Sequence, residues 1–306
     1  MSLTWKPSSM CREAGKTGGQ SIPVEIVLFL CVNLMISAAV GLLTAVVIFF
    51  AVFFQGGPEN AGALVQQLRN VLPMSQVPLT ILIPIAYCRW VQKRPLWTMG
   101  FGKQGWFREY ALGMGAGAAM MTLTVLASLL LGGLSIRQIY PMNGSRMLLF
   151  LLVLCCFFLQ GLSEEVLFRG YFLTSLARKS GNLWMAVVVS ALAFALAHLF
   201  NAGLDLLSFC NLVLFGIFAG ICLLRRGSIW LISGFHALWN FTQGNLWGVR
   251  ISGMRFGPSL VDMEAVPELP LVNGGRFGLE GSLLCTAVLA AAIVIALMLP
   301  QRDSAE

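Results

Sequence analysis

Apolar stretches of about 20 residues recur along the chain, and short segments that carry most of its charge separate them. About 20 apolar residues are what an α-helix needs to cross the hydrocarbon core of a bilayer. Pro78 and Pro84 interrupt the second stretch. The pattern predicts an all-α fold, a polytopic membrane helix bundle with about eight transmembrane helices. The expected spans are about 24–54, 74–92, 110–134, 147–176, 183–203, 207–224, 229–248 and 280–299.

The parts of the chain outside these spans define its organisation. Residues 1–23 are polar and are expected to form a cytoplasmic tail, residues 24–300 a single membrane-embedded domain, and residues 301–306 a second polar tail. Residues 57–72 are predicted to lie on the membrane interface as an amphipathic segment. The Gly- and Pro-rich stretch 249–279 is too long for a simple connection and is expected to cover one face of the bundle. The apolar side of the amphipathic segment would carry Leu64, Leu68 and Val71.

Small residues are clustered on two of the expected spans. Gly113, Gly115 and Gly117 lie on the third, and Gly216 and Gly220 on the sixth have the spacing typical of close helix pairs. Glycines allow helix backbones to approach each other closely in membranes. We expect these five residues to serve helix packing.

Composition agrees with a membrane location. The chain is 58% hydrophobic and only 11% charged, whereas soluble proteins carry about 25% charged residues. The net charge of +7 comes from loop residues, and their distribution, about two to one, favours a cytoplasmic position for both termini. Such charges attract anionic lipid and do not imply nucleic-acid binding. We expect a multi-pass protein of the cell membrane, specifically a prokaryotic plasma membrane.

Two adjacent glutamates interrupt the fourth apolar span. An ionised carboxylate in hydrocarbon costs several kcal/mol unless it is paired. Arg169 lies four residues after Glu165, on the same helix face, so these two side chains are predicted to pair. Glu164 points elsewhere, lacks an evident partner in its own helix, and is the carboxylate expected to act on a water molecule. The alternative is a charge cluster that only ties this helix to a neighbour.

The two histidines of the chain also lie in apolar spans and also have partners four residues away. Phe194 shares a helix face with His198 and could fix its ring. His236 and Asn240 share another face and could donate hydrogen bonds to an oxyanion. A lone membrane histidine is more often a packing residue, but these two accompany the membrane carboxylates. We expect them to line one cavity with Glu164.

At these residues the chain resembles the CPBP family of intramembrane proteases, which includes CAAX prenyl endopeptidases, bacteriocin-processing enzymes and abortive-infection proteins. The three motifs of that family are EExxxR, FxxxH and HxxxN. They occur here in order, within a motif core of about residues 147–245, as Glu164-Glu165-Val-Leu-Phe-Arg169, Phe194-Ala-Leu-Ala-His198 and His236-Ala-Leu-Trp-Asn240.

The resemblance implies hydrolysis of peptide bonds inside the membrane, in membrane-associated or lipidated, CAAX-like substrates. It assigns the activation of water to Glu164 and His198, and the stabilisation of the oxyanion to His236 and Asn240. Glu165, Arg169 and Phe194 would support these groups.

Three alternatives remain open at this point. The family was named metalloprotease, and Glu164, His198 and His236 could hold zinc; because HExxH is absent, a mechanism without a metal or other cofactor is favoured. Buried Glu and His residues also mark ion-coupled transporters, but the polar residues here are concentrated on three spans, without an evident inverted repeat. A non-catalytic membrane scaffold or immunity protein is the third alternative.

Overall fold

A computed structural model gives the fold of the chain. The residues that it describes are 10, 13–14, 20–57, 59, 62, 65 and 76–302. The apolar side of the amphipathic segment predicted for 57–72, with Leu64, Leu68 and Val71, lies outside the described residues, as do most of the two polar tails.

The described chain is a bundle of helices, and the predicted all-α polytopic architecture is confirmed. The α-helices are α1 (Ile22–Phe54), α2 (Gln76–Ala86), α3 (Trp106–Leu130), α4 (Gly144–Glu165), α5 (Thr174–Ser180), α6 (Leu183–Ala197), α7 (Leu206–Arg226), α8 (Trp230–Phe241), α9 (Pro270–Asn273) and α10 (Leu283–Met298). Short π-helical segments follow three of them, at Tyr87–Val91, Val166–Leu173 and Thr242–Leu246. Two 3₁₀ turns lie at Leu96–Met99 and Leu279–Gly281.

Within the described residues, four continuous helical segments are long and apolar enough to cross a membrane. They are α1, α3, α7 and the stretch Gly144–Ser180, in which α4, a π-helical segment and α5 follow one another. Apolar helices that are shorter occupy Gln76–Val91, Leu183–Ala197 and Leu283–Met298. Several predicted boundaries were wrong, and the third span runs from Trp106 to Leu130 instead of 110–134. The fifth span ends at Ala197, so that His198 caps the helix, and the last begins at Leu283 instead of residue 280.

Glycines set the closest helix contacts in the bundle. A Cβ atom added to Gly113 would collide with the backbone of α8 at Leu231, and one on Gly117 would collide with Phe235 of the same helix. Gly216 similarly lies against Ala191 of α6. The predicted packing role is therefore confirmed for these glycines. It was wrong for Gly115, where an added Cβ meets no atom within 4 Å.

A two-stranded antiparallel sheet joins the outer loops and was not predicted. Strand β1 (Leu134–Ile139) pairs with β2 (Val261–Ala265), with a bulge between Ile136 and Gln138. The strand β2 belongs to the long segment 249–279. Its alternation is too short to stand out beside the apolar runs.

The segment 249–279 is fastened to the helices by hydrogen bonds. The side-chain amide of Asn245 donates to the carbonyl oxygens of Phe256 and Pro258, at 2.6 and 2.8 Å. The Phe256 ring packs edge-on against Phe157 of α4, with centroids 5.9 Å apart. The segment therefore lies against the bundle as a cover, as its length and composition predicted.

The buried polar side chain Glu25 attaches α1 to the rest of the bundle. It pairs with Arg178 at 3.2 Å and accepts a hydrogen bond from Gln92 at 2.9 Å. The hydroxyl groups of Tyr87 and Tyr171 lie 3.4 Å from its other oxygen. Because most of α1 is exposed in the isolated chain, this cluster fixes its position from one end.

The glycine contacts predict a position-specific effect on stability. Gly113→Ala should lower the free energy of unfolding by at least about 2 kcal/mol, because the new methyl group overpacks the contact between α3 and α8. Gly115→Ala is the matched control on the same helix and should leave stability unchanged or slightly higher, since alanine favours helix. Thermal unfolding of the purified protein in detergent measures both. Equal midpoints for the two variants would contradict the described packing.

Candidate active site

The motif residues converge on one cavity within the bundle. It has a volume of about 140 Å³, and its lining includes Glu164, His198, His236 and Asn240. The close approach of two helices makes this possible. Gly161, one turn before the glutamate pair, lies so near α8 that an added Cβ would be 2.9 Å from the Ala237 amide nitrogen. A larger residue there would push α4 away from His236.

Glu165 is buried completely and contacts two basic side chains. Its Oε1 atom lies 3.2 Å from an Arg169 guanidinium nitrogen and 2.9 Å from His236 Nδ1. Because an ionised carboxylate can only accept hydrogen bonds, Nδ1 of His236 carries the proton. Glu165 therefore joins α4 to α8 and turns Nε2 of His236 toward the cavity. Spacing had predicted the contact with Arg169 but not the one with His236.

Glu164 is in a different environment from its neighbour. Its side chain is 21% exposed, and its Oε2 atom has no hydrogen-bond partner among the described residues. This oxygen lies 3.8 Å from His236 Nε2, too far for a hydrogen bond.

Gln160 links Glu164 to the third motif. Its amide nitrogen donates to Glu164 Oε1 at 2.6 Å, and its oxygen accepts from the Asn240 amide at 3.2 Å. The expectation that Glu164 lacks a partner in its own helix was therefore wrong. Gln160 lies four residues earlier on the same face, so the spacing rule that found Arg169 would also have found it.

His198 follows the last residue of α6 and is oriented by that helix. Its Nδ1 lies 2.8 Å from the Phe194 carbonyl oxygen. A carbonyl oxygen only accepts, so Nδ1 carries the proton and Nε2 of the neutral ring is an acceptor. The Phe194 ring lies between two cationic or polar groups: the Arg169 guanidinium is 4.5 Å from its centroid, and the His198 ring centroid is 4.7 Å away. Phe194 thus connects the first two motifs.

Sequence reasoning missed a further carboxylate in the cavity, that of Glu280. This residue lies in the 3₁₀ turn before α10 and is only 8% exposed. Its Oε2 atom accepts hydrogen bonds from the Ser252 backbone amide and, at 2.9 Å, from the Ser252 hydroxyl group. Burial raises the pKa of the Glu280 carboxyl group above its usual range. No spacing relates Glu280 to a motif, so only the fold reveals it.

A metal ion in the cavity would need several ligands close together. Among the side chains that the structure describes, no three His, Cys, Asp or Glu residues are gathered so that they could hold a metal ion. Glu164, His198 and His236 line the same cavity, and the hydrogen bonds of both Nδ1 atoms leave the Nε2 atoms as the nitrogens that can contact a water molecule, a substrate or an ion.

Comparison with known families bears on the motif core. Residues 146–242 match the family model described as type II CAAX prenyl endopeptidase, Rce1-like. The match covers about a third of the chain and includes all three motifs. Comparisons with curated proteins and with solved structures found no match. The resemblance drawn from the motifs is confirmed, and the family is one of membrane-embedded proteases. Over this segment the chain is similar to the type II CAAX prenyl endopeptidases of the Rce1-like family.

Proposed function

We propose that the protein hydrolyses peptide bonds of membrane-associated or lipidated, CAAX-like substrates with a water molecule that Glu164 activates. It would do so as a multi-pass protein of the cell membrane, with both termini in the cytoplasm. One observation carries this proposal. Of the two adjacent carboxylates, Glu165 is completely buried and contacts Arg169 and His236, while Glu164 is 21% exposed and lines the cavity.

The charges around the pair support this division. Arg169 compensates the charge of Glu165, which is the condition for keeping an anion in so apolar a place. The hydrogen bond to Glu164 comes from Gln160, a neutral amide that orients the carboxylate without adding a positive charge. A carboxylate held in this way can accept a proton from water, which is what a general base must do.

His198 is the second group that would contact the water. Its Nε2 atom is an acceptor in the neutral ring, because Nδ1 donates to the Phe194 carbonyl oxygen. A water molecule between Glu164 and His198 could therefore donate to both and be held with its oxygen toward the scissile carbonyl carbon. This orientation restricts the motion of the nucleophile before attack.

His236 and Asn240 would stabilise the oxyanion. His236 lies between Glu165 and Glu164, an arrangement that favours an imidazolium able to donate from both nitrogens. The Asn240 amide has two N–H donors and uses one on Gln160, which leaves the other for the substrate. Two donors fixed in an enclosed site are the usual means of stabilising a tetrahedral intermediate.

The reaction then balances without a covalent enzyme intermediate. Glu164 takes a proton from water while the water oxygen bonds to the carbonyl carbon, and the carbonyl oxygen becomes the oxyanion. The C–N bond then breaks, and Glu164 returns the proton to the leaving nitrogen. The products are a new carboxylate and a new amine.

The side chains of the cavity also favour a mechanism without a metal. Glu165, which could have been a ligand, is committed to Arg169 and His236, and the sequence lacks the HExxH pattern of zinc proteases. No observation favours a transporter or an idle scaffold over hydrolysis.

Removal of the proposed base should abolish turnover. Glu164→Gln keeps the size of the side chain but removes its basicity, and kcat should fall by at least about 10²-fold. The assay follows cleavage of fluorogenic farnesylated CAAX peptides by purified protein in detergent. Glu264→Gln, at the exposed position of strand β2, is the matched control and should keep the wild-type rate. Wild-type kcat in Glu164→Gln would contradict the mechanism.

Chelation provides an independent check. Incubation with 1,10-phenanthroline followed by gel filtration should leave kcat unchanged, because the proposed base acts on water directly. Loss of activity that added Zn²⁺ restores would overturn the proposal of a metal-free site.

A further inference from the structure

We infer that Glu280 forms a subsite for a positively charged substrate residue, a lysine or arginine close to the scissile bond. The inference rests on the proposed function, because it assigns a substrate class to the same cavity. Glu280 lies well outside the matched segment 146–242, so the motifs do not explain its presence beside Glu164 and His198.

Hydrogen bonds hold both the backbone and the side chain of Glu280 in place. The Asn211 amide on α7 donates to its backbone carbonyl oxygen at 2.8 Å. Ser252 holds the side chain through both its backbone amide and its hydroxyl group. A side chain held this firmly loses little entropy when a ligand binds.

Ser252 adopts an unfavourable backbone conformation to make these bonds. Its φ angle is 45°, in the left-handed region that non-glycine residues rarely occupy. It stands with Gly253 in the tight turn that Ile251 and Met254 close through two backbone hydrogen bonds. Strain of this kind persists where the surrounding structure requires it and is concentrated at ligand sites.

Among the described residues, Glu280 has no basic side chain within ion-pair distance, and the imidazoles of His198 and His236 act on its charge only from farther away. Arg255 lines the same cavity, but it pairs with Asp262 at 2.8 Å and its side chain is 54% exposed. A buried anion without a cation is costly. A cationic substrate residue would remove that cost, whereas a neutral residue would leave it.

The remaining walls of the cavity suit the stem of such a residue. Trp239, Phe215 and Leu289 also line it, and they offer apolar surface beside the carboxylate. Lysine and arginine bury their methylene groups along such surfaces while the charged end reaches a polar partner.

Matched peptides test this inference. For each position around the cleavage site, three fluorogenic peptides carry lysine, norleucine or glutamate at that position and are otherwise identical. Their kcat/KM values are compared. We expect lysine to be preferred over norleucine by at least about tenfold at one position, as for a desolvated charge pair. Glu280→Gln should bring this ratio near one, and Glu280→Lys should make glutamate the preferred residue. Glu264→Gln should keep the wild-type ratio.

A binding measurement separates this inference from the proposed mechanism. In the Glu164→Gln background, Kd values for dye-labelled lysine and norleucine peptides are measured by fluorescence anisotropy, with and without Glu280→Gln. Tighter binding of the lysine peptide that depends on Glu280 supports the subsite, whether or not Glu164 proves to be the base. Equal Kd values, or no binding of either peptide, overturn it. Either result would mean that Glu280 serves only as a structural partner of Ser252.

The preference should also depend on pH. Burial raises the pKa of the Glu280 carboxyl group, so this group becomes protonated at a higher pH than an exposed glutamate. The preference for lysine should be full above this pKa and should decline as the pH falls through it, while the ratio in Glu280→Gln stays flat. A wild-type ratio that does not change with pH would contradict the prediction. Comparison with Glu280→Gln separates the titration of Glu280 from that of the other ionisable groups around the cavity, which are Glu164, His198, His236, Arg255 and Cys285.

Discussion

A charge inside an apolar bundle must be compensated, and here the requirement is met by Glu165, Arg169 and His236. One carboxylate oxygen receives both the guanidinium and the imidazole. Because these side chains come from α4, the following π-helical segment and α8, their contact fixes the helices that carry two of the three motifs. Gly161 makes the contact possible by allowing the backbones to approach. Loss of Glu165 or Arg169 would leave its partner as a buried and unpaired charge, which is far more costly than loss of a surface pair.

Compensation of one glutamate leaves its neighbour available. Glu164 is next to Glu165 in sequence, but it faces the cavity and is held by Gln160, which also contacts Asn240. The proposed base and one proposed oxyanion donor are thus joined through a single amide. The second motif enters through Phe194, whose ring contacts both Arg169 and His198. Two hydrogen-bonded groups thus meet at the cavity, where His236 Nε2 lies 3.8 Å from Glu164 Oε2. A change at the buried pair would therefore also affect the proposed base.

Sequence spacing predicted much of this site but not all of it. The apolar runs gave the helices, and the four-residue rule gave the contact between Glu165 and Arg169, because both features are local. The bond from His236 to Glu165 depends on how α8 packs on α4, which no local pattern contains. The end of α6 at Ala197, just before His198, was missed because the apolar pattern of the sequence does not mark where a helix ends. Glu280 was missed for the same kind of reason, since Ser252 and Asn211 bring it to the cavity from distant parts of the chain.

The central claim is that the two glutamates have different roles, with Glu164 accessible in the cavity and Glu165 sealed in the ion cluster. Chemical rescue with formate tests it most directly, because this small carboxylate can enter a space left in an open cavity but cannot rebuild a buried pair. Cleavage by Glu164→Ala and by Glu165→Ala is measured over a range of formate concentrations. Formate should restore activity to Glu164→Ala in a saturable manner and leave Glu165→Ala inactive. Rescue of Glu165→Ala alone, or of neither variant while both remain folded, would contradict the assignment.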